Sequence, residues 1–158
     1  MPPTARAWNA LIRTHHITSR KKVAKLKQAA SAQDVFVLLR SGSPPGIMYV
    51  EGERRGTEEW VSTVQTEPGL WGRSVWRWLM CCRSRNVQKL RYKDYQLAAR
   101  PAEVEREGDR AKIQEEGLNG EGLHETESVK DFAQQMHDRG VFEWWRKAMG
   151  YTGQQDRL

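Results

Sequence analysis

The densest group of chemically active side chains lies in the stretch RTHHITSRKKVAKLK, residues 13–27. It holds six Lys or Arg residues, two adjacent histidines and no acidic residue. Such a group can serve in a metal or catalytic site, in a targeting peptide, or on a surface that meets the phosphates of a polyanion. The remaining sequence helps to decide among these three uses.

The histidine pair, His15 and His16, is a poor metal chelate if it lies in a strand, because adjacent strand side chains point to opposite faces. The other two histidines, His124 and His137, show no HExxH spacing. We therefore predict no metal site and no cofactor. The pair is expected either to hydrogen-bond the turn at a strand end or to face phosphates, and both alternatives stay open.

Signatures of catalysis are missing from the sequence. The segment SGSPPG at 41–46 lacks the Lys-Ser/Thr of a phosphate-binding loop, and no GxSxG nucleophile elbow occurs. The two cysteines, Cys81 and Cys82, are adjacent, which does not suggest the disulfide framework of a small secreted domain. We predict a non-enzymatic protein of a reducing compartment.

Charge is distributed unevenly along the chain, whose formal net charge is +6 over 158 residues. Residues 1–33 and residues 73–93 each contain seven Lys or Arg and no acid, whereas residues 103–131 contain ten Asp or Glu against four Lys or Arg. No apolar run approaches the roughly 20 residues that span a bilayer. These blocks predict an anionic partner such as RNA and no membrane partner.

The amino terminus is acid-free like a mitochondrial presequence, but WNALIRTHHI alternates like a strand and lacks a helical apolar face. A nuclear or cytoplasmic location is favoured over a mitochondrial one.

The elements that must position the basic residues follow from hydrophobic period and turn residues. A strand is predicted at 7–17 and a strand hairpin at 34–52. A helix is predicted at 19–31 with Thr18 or Ser19 as its cap and an apolar stripe of Val23, Leu26 and Ala30. A second helix opens at Gly56 and Thr57 with a buried stripe of Trp60, Val61 and Val64, and a long strand is predicted at 74–85. The order β-α-β-β-α-β predicts an α+β, ferredoxin-like fold, in which both helices cover one sheet face and the other stays open.

Three segments are expected: a ferredoxin-like domain at 1–99, an acidic flexible loop at 100–126, and C-terminal helices at 127–153 that pack on the domain. The apolar residues of the last segment that are placed to dock on the sheet are Phe132, Met136, Phe142, Trp145 and Met149.

The combination of several stretches resembles one known family. HHITSRKK at 15–22, GSPPGIMYVEG at 42–52, EEWVSTVQ at 58–65, the tryptophan-containing strand at 74–85 and the tail from Phe132 resemble the C-terminal domain family of the small nuclear ribonucleoprotein pre-mRNA-processing factor three. This domain is also found in RWD-domain-containing proteins. The resemblance implies a ferredoxin-like domain that contacts small nuclear RNA in mRNA splicing.

We therefore expect an RNA-binding module of this type. Its basic blocks would contact phosphates, and bases would stack on strand aromatics such as Trp8, Tyr49, Trp76 and Trp78. Ribonucleoprotein proteins are further partners that the resemblance implies, and the chain is expected to be monomeric outside such an assembly. The expected RNA-binding residues are Arg13, His15, His16, Arg20, Lys21, Lys22, Lys25, Arg77, Arg83 and Arg85.

The alternative is a protein-protein adaptor that uses the tryptophan-rich C-terminal helix. Trp144 and Trp145 are the expected anchors, and they lie about 100° apart on a helix, so that one is buried while the other is presented.

Overall fold

The computed structural model describes residues 6–64, 96–107 and 121–151. These residues form an α+β fold with a five-stranded mixed sheet, which confirms the α+β class of the prediction. The strands are β1 (Trp8–Thr14), β2 (Phe36–Arg40), β3 (Gly46–Gly52), β4 (Gln96–Glu103) and β5 (Gly122–Thr126). The helices of the described residues are α1 (Arg20–Ala32), α2 (Arg54–Val64), α3 (Val129–Asp138) and α4 (Phe142–Met149).

The strands lie in the order β4-β1-β3-β2-β5. All neighbours are antiparallel except β5, which runs parallel to β2. The β2–β3 hairpin forms where the sequence predicts it, because the intervening SGSPP segment supplies turn residues and Gly42 takes a φ of 97° that favours glycine.

Helices α1 and α2 cover the first face of the sheet. Ser19 caps α1 by accepting a hydrogen bond from the Lys22 N–H at 3.5 Å. The stripes predicted from helical spacing are buried there, which confirms both helices. The buried helix residues of this core are Val23, Leu26, Ala30, Trp60, Val61 and Val64, and they pack on Ala10, Ile12, Val37, Leu39, Met48 and Val50.

Helices α3 and α4 cover the second face, which agrees with the predicted docking of the C-terminal helices and closes the face that a ferredoxin-like order alone leaves open. Tyr49 is fully buried beneath them. The physical reason is visible in β1 and β3, whose ALI and IMYV runs are apolar at consecutive positions and therefore present apolar side chains on both faces. The residues of this second core include Leu11, Leu38, Ile47 and Tyr49 from the sheet and Phe132, Met136, Trp145 and Met149 from the helices.

Three boundaries of the elements before residue 65 differ from the prediction by two residues or more. The first strand ends at Thr14 rather than at residue 17. The second begins only at Phe36, since Asp34 has a φ of 55°. Helix α2 begins at Arg54 instead of Gly56, so Glu58 lies beyond its first turn, where it pairs with Arg54 at 3.1 Å.

The segment 100–126 is not a loop at either end, which corrects the prediction. Its first residues belong to β4 and its last five form β5. Two of its acids form ion pairs, Glu103 with Arg6 at 3.0 Å and Glu125 with Arg20 at 2.7 Å. The strand predicted at 74–85 lies outside the described residues.

Candidate nucleic-acid interface

Two loops meet at the end of β1, and glycine makes their approach possible. The Gly46 N–H donates to the His15 carbonyl at 3.1 Å, and the Gly42 N–H donates to the Ile17 carbonyl at 3.0 Å. A Cβ at Gly46 would lie 2.5 Å from the Thr14 methyl group. The β1–α1 loop is therefore pinned to the β2–β3 turn, and this junction fixes the direction of the residues that follow Thr14.

His15 and His16 converge on one side, contrary to the expectation that they point to opposite faces. Because β1 has already ended at Thr14, the alternation of a strand no longer applies to them. Both are exposed, and their Nδ1 atoms lie 2.6 Å apart. A hydrogen bond at this distance needs one Nδ1 to carry a proton and the other to accept it.

The two histidines line a groove of about 910 Å³ between the β1–α1 loop, the β2–β3 turn and the end of α4. We call this surface the histidine groove. Its residues are Arg13, Thr14, His15, His16, Pro44, Pro45, Gln96 and Tyr151.

Tyr151 gives the histidine groove an exposed aromatic ring. It is 42% exposed, the one large exposed hydrophobic side chain of the described residues. Its backbone N–H donates to the Arg146 carbonyl at 2.9 Å after the left-handed Gly150, and its ring lies edge-on to Trp145 with centroids 5.6 Å apart. The ring is thus held in place while one side remains open to solvent.

Helix α1 follows the β1–α1 loop of the groove in the chain and is rich in cations. Its sequence RKKVAKLKQAASA contains five Lys or Arg and no acid. Lys21 is exposed, and neither Lys21 nor Arg13 belongs to an ion pair formed within the described ranges. The exposed side of α1 together with the histidine groove is the candidate interface.

Arg20 is a cation of this helix that the protein already neutralises. Its guanidinium donates to both carboxylate oxygens of Glu125, at 3.1 and 2.7 Å, and Ser41 Oγ donates to the same carboxylate at 2.8 Å. The hydrogen bond from Arg20 is the main reason why the pKa of Glu125 lies below its usual value, against the opposing effect of partial burial. Glu125 therefore competes with any external anion for Arg20.

The structure brings together Arg13, His15 and His16 in the groove, and the predicted residues Arg20, Lys21, Lys22 and Lys25 lie on α1, which follows the β1–α1 loop. The residues Arg77, Arg83, Arg85, Trp76 and Trp78 lie outside the described residues.

The strand aromatics do not stack on an open face. Tyr49 is buried, and half-buried Trp8 lies 4.7 Å from the guanidinium of Arg54. Of the adaptor residues, Trp145 is buried with 3% exposure, whereas Trp144 is half-buried with its ring edge-on to Tyr49.

Sequence reasoning missed Tyr151, the two prolines as groove walls, and the Arg20 partner Glu125. No sequence spacing links them, because Glu125 reaches Arg20 only through the parallel pairing of β5 with β2. The dipeptide Gly150–Tyr151 directly after an amphipathic helix was the one local signal, since glycine is common at a helix C-terminus and fixes the following residue.

A buried ionic cluster, also unforeseen, holds the second face closed. Glu51 accepts hydrogen bonds from Arg106 and from the Tyr49 hydroxyl, and Arg139 lies 3.4 Å from the same carboxylate. Arg139 also lies 3.4 Å above the Phe36 ring. Burial, followed by the charge of Glu51, raises the pKa of Tyr49 well above its usual value.

Glu107, which follows Arg106, caps the N-terminus of α4. Glu107 accepts hydrogen bonds from the Glu143 and Trp144 N–H groups at 2.8 and 3.3 Å, so it caps a helix whose own N-cap residue, Val141, has no side-chain acceptor. Residues 104–107 are therefore a structural strap between the sheet and its C-terminal helices.

Metal-binding groups of three or more His, Cys, Asp or Glu do not occur among the described residues. Within the same ranges, the helices are too short or too polar to cross a bilayer. The chain matches no protein-family model, and a comparison with curated proteins also found no match.

Proposed function

We propose that this protein is a non-enzymatic RNA-binding module that contacts single strands through the histidine groove and the exposed side of α1. The observation that carries the proposal is that Arg13, His15 and His16 line one groove and are followed directly in the chain by a helix with five Lys or Arg and no acid. Cations in such an arrangement neutralise successive phosphates, and they do so without sequence preference.

Tyr151 supplies the second component of single-strand binding, a stacking platform. Every base has an aromatic face, and stacking on an exposed ring contributes roughly 1–3 kcal/mol per base. The ring is exposed on one side and fixed by Trp145 on the other, so little entropy is lost on stacking. In this proposal Tyr151 takes the role that the sequence assigned to Tyr49.

The proposal includes the fold type and the family context. The chain order β1-α1-β2-β3-α2-β4 and the strand order β4-β1-β3-β2 support a ferredoxin-like core to which β5, α3 and α4 are added. Together with the resemblance to the pre-mRNA-processing factor three C-terminal domain, this supports a role in a nuclear or cytoplasmic ribonucleoprotein, with the chain monomeric outside it.

The protein-protein adaptor is the weaker candidate. An interface anchor must reach its partner, and Trp145 is covered by Phe132, Phe142 and Tyr151, whose rings lie within 6 Å of it. Trp144 offers only part of its ring. A tight partner on this helix would need contacts beyond the two tryptophans.

The test is a titration of fluorescent single- and double-stranded RNA at two salt concentrations. The variant Lys21→Gln removes one cation from α1. Its control for net charge, Arg55→Gln, removes a cation that pairs with Glu59 at 2.9 Å near the start of α2, where the neighbouring Arg54 lies against Trp8 at the opposite end of β1. We expect Lys21→Gln to weaken binding about threefold at low salt and Arg55→Gln to leave it unchanged.

Two results would contradict the proposal. Absence of single-strand binding by the unmodified chain at low salt removes it directly. Equal weakening by the two variants shows that net charge, and not this surface, attracts the RNA.

A further inference from the structure

The β2–β3 turn carries a feature that RNA binding does not require. Ser43 is exposed in this turn and is followed by Pro44. The pair is the only Ser-Pro or Thr-Pro dipeptide among the 158 residues. A serine directly before a proline is the sequence that proline-directed protein kinases recognise.

The buried Arg40 side chain donates hydrogen bonds to Ser43. Its Nη1 donates to the Ser43 carbonyl at 2.7 Å, and its Nη2 donates to Ser43 Oγ at 3.1 Å. The arginine is 6% exposed, and its Nε is buried without a hydrogen-bond partner in the described part of the chain. A fixed guanidinium against a serine hydroxyl is well placed to bind a phosphate on that serine, through charge-assisted hydrogen bonds.

We propose that Ser43 is a phosphorylation site of a proline-directed serine/threonine kinase, and that Arg40 holds the phosphate at the rim of the histidine groove. In the reaction Ser43 Oγ bonds to the γ-phosphorus of ATP as the bond from that phosphorus to the bridging oxygen breaks. ADP leaves, and the hydroxyl proton passes to the catalytic base of the kinase. The chain contributes only the hydroxyl group.

Phosphorylation has a consequence for the groove, and this part rests on the proposed function. The phosphate adds about two negative charges beside Pro44 and Pro45, which line the groove together with Arg13. These charges repel RNA phosphates and attract the cations that would otherwise neutralise them. We expect the phosphorylated protein to bind single-stranded RNA on the order of tenfold more weakly.

The first experiment treats the full chain with a proline-directed kinase and ATP and locates phosphate by mass spectrometry. One phosphate on Ser43 is expected, with none on Ser43→Ala. Modification should be retained in Ser43→Thr and in the control Ser31→Ala, whose exposed serine precedes alanine. Phosphate on other residues only, or modification of a peptide of residues 39–47 but not of the folded chain, overturns the proposal.

A second experiment tests the role of Arg40 by a ³¹P NMR titration of the phosphorylated chain and of the phosphorylated 39–47 peptide. The guanidinium should move the second ionisation of the phosphate to lower pH in the folded chain, and equal curves overturn this role. RNA titrations of the phosphorylated chain and of the unmodified chain complete the test. Equal affinity overturns the effect on the groove, whereas failure of the unmodified chain to bind RNA removes the proposed function and leaves the phosphorylation result intact.

Discussion

Glu51 is the residue at which the sheet and its C-terminal cover are joined, since its carboxylate meets the Tyr49 hydroxyl, Arg106 and Arg139. The side chains of the two arginines are 8% and 4% exposed. Replacing the carboxylate by an amide removes the negative charge of Glu51 from beside two buried cations. We expect Glu51→Gln to lower the free energy of unfolding by about 3–5 kcal/mol, measured by urea denaturation followed through tryptophan fluorescence.

A matched control exists for this substitution. Glu103→Gln also removes a carboxylate from an ion pair, but Glu103 and its partner Arg6 are 50% and 78% exposed. An exposed pair contributes about 1 kcal/mol or less, so this variant should remain close to the unmodified chain in stability. Equal stability of the two variants would show that the Glu51 cluster does not fasten the cover.

At the scale of elements, local patterns determine what could be predicted. Helix α1 followed from the spacing of Val23, Leu26 and Ala30 behind the cap Ser19, and the β2–β3 hairpin followed from its turn residues. Strand β4 was missed because its sequence QLAARPAE has little apolar content, as expected for a strand at the margin of the described sheet. Strand β5 was missed because its composition is as polar and acidic as that of the segment around it. Only its pairing with β2 makes it a strand.

The difference between local sequence patterns and tertiary packing also explains which residues of the candidate site could be predicted. Arg13, His15 and His16 are neighbours in sequence, and their common location could be predicted from the basic stretch that contains them. Pro44 and Tyr151 reach the groove through tertiary packing, which hydrophobic periodicity in the sequence does not predict. The closed second face could have been anticipated from β1 and β3, whose consecutive apolar residues need cover on both sides.

Strand β5 is connected to α1 by Glu125, and this contact sets a prediction for the interface as a whole. The pKa of Glu125 is lowered in the fold, so the contact with Arg20 is present at neutral pH and is lost as the pH falls through that lowered value. At neutral pH Glu125→Gln therefore releases Arg20. We expect this variant to bind single-stranded RNA about threefold more tightly in the same anisotropy titration.

The control for net charge is Glu121→Gln. Glu121 is exposed and directly precedes β5, at the end of that strand remote from Arg20. Both variants remove one negative charge, but only Glu125→Gln frees a cation of the interface. A gain in affinity with both, or with neither, contradicts the assignment of Arg20 to this surface.

At the scale of the whole molecule, a net charge of +6 admits two explanations for any binding of RNA. Either the molecule attracts polyanions as a diffuse positive body, or a local track releases a fixed number of counterions. The salt dependence separates them, because each phosphate neutralised on a single strand changes the slope of log affinity against log salt by about −0.7. We call the five predicted cations of the candidate interface the track. They are Arg13, Arg20, Lys21, Lys22 and Lys25.

If each of these cations except Arg20, which Glu125 holds, meets one phosphate, the four account for a slope of about −2.8, which any cation of residues 73–93 that joins the track makes steeper. Removing Lys21 from the track should make the slope shallower by about 0.7, whereas Arg55→Gln, which changes the net charge equally, should leave it as it is. Affinities measured at four or more salt concentrations for the three proteins give these slopes. Equal slopes for Lys21→Gln and the unmodified chain mean that Lys21 meets no phosphate. Since Lys21 is an exposed cation at the centre of the track, outside every ion pair of the described residues, that result would argue against the track itself.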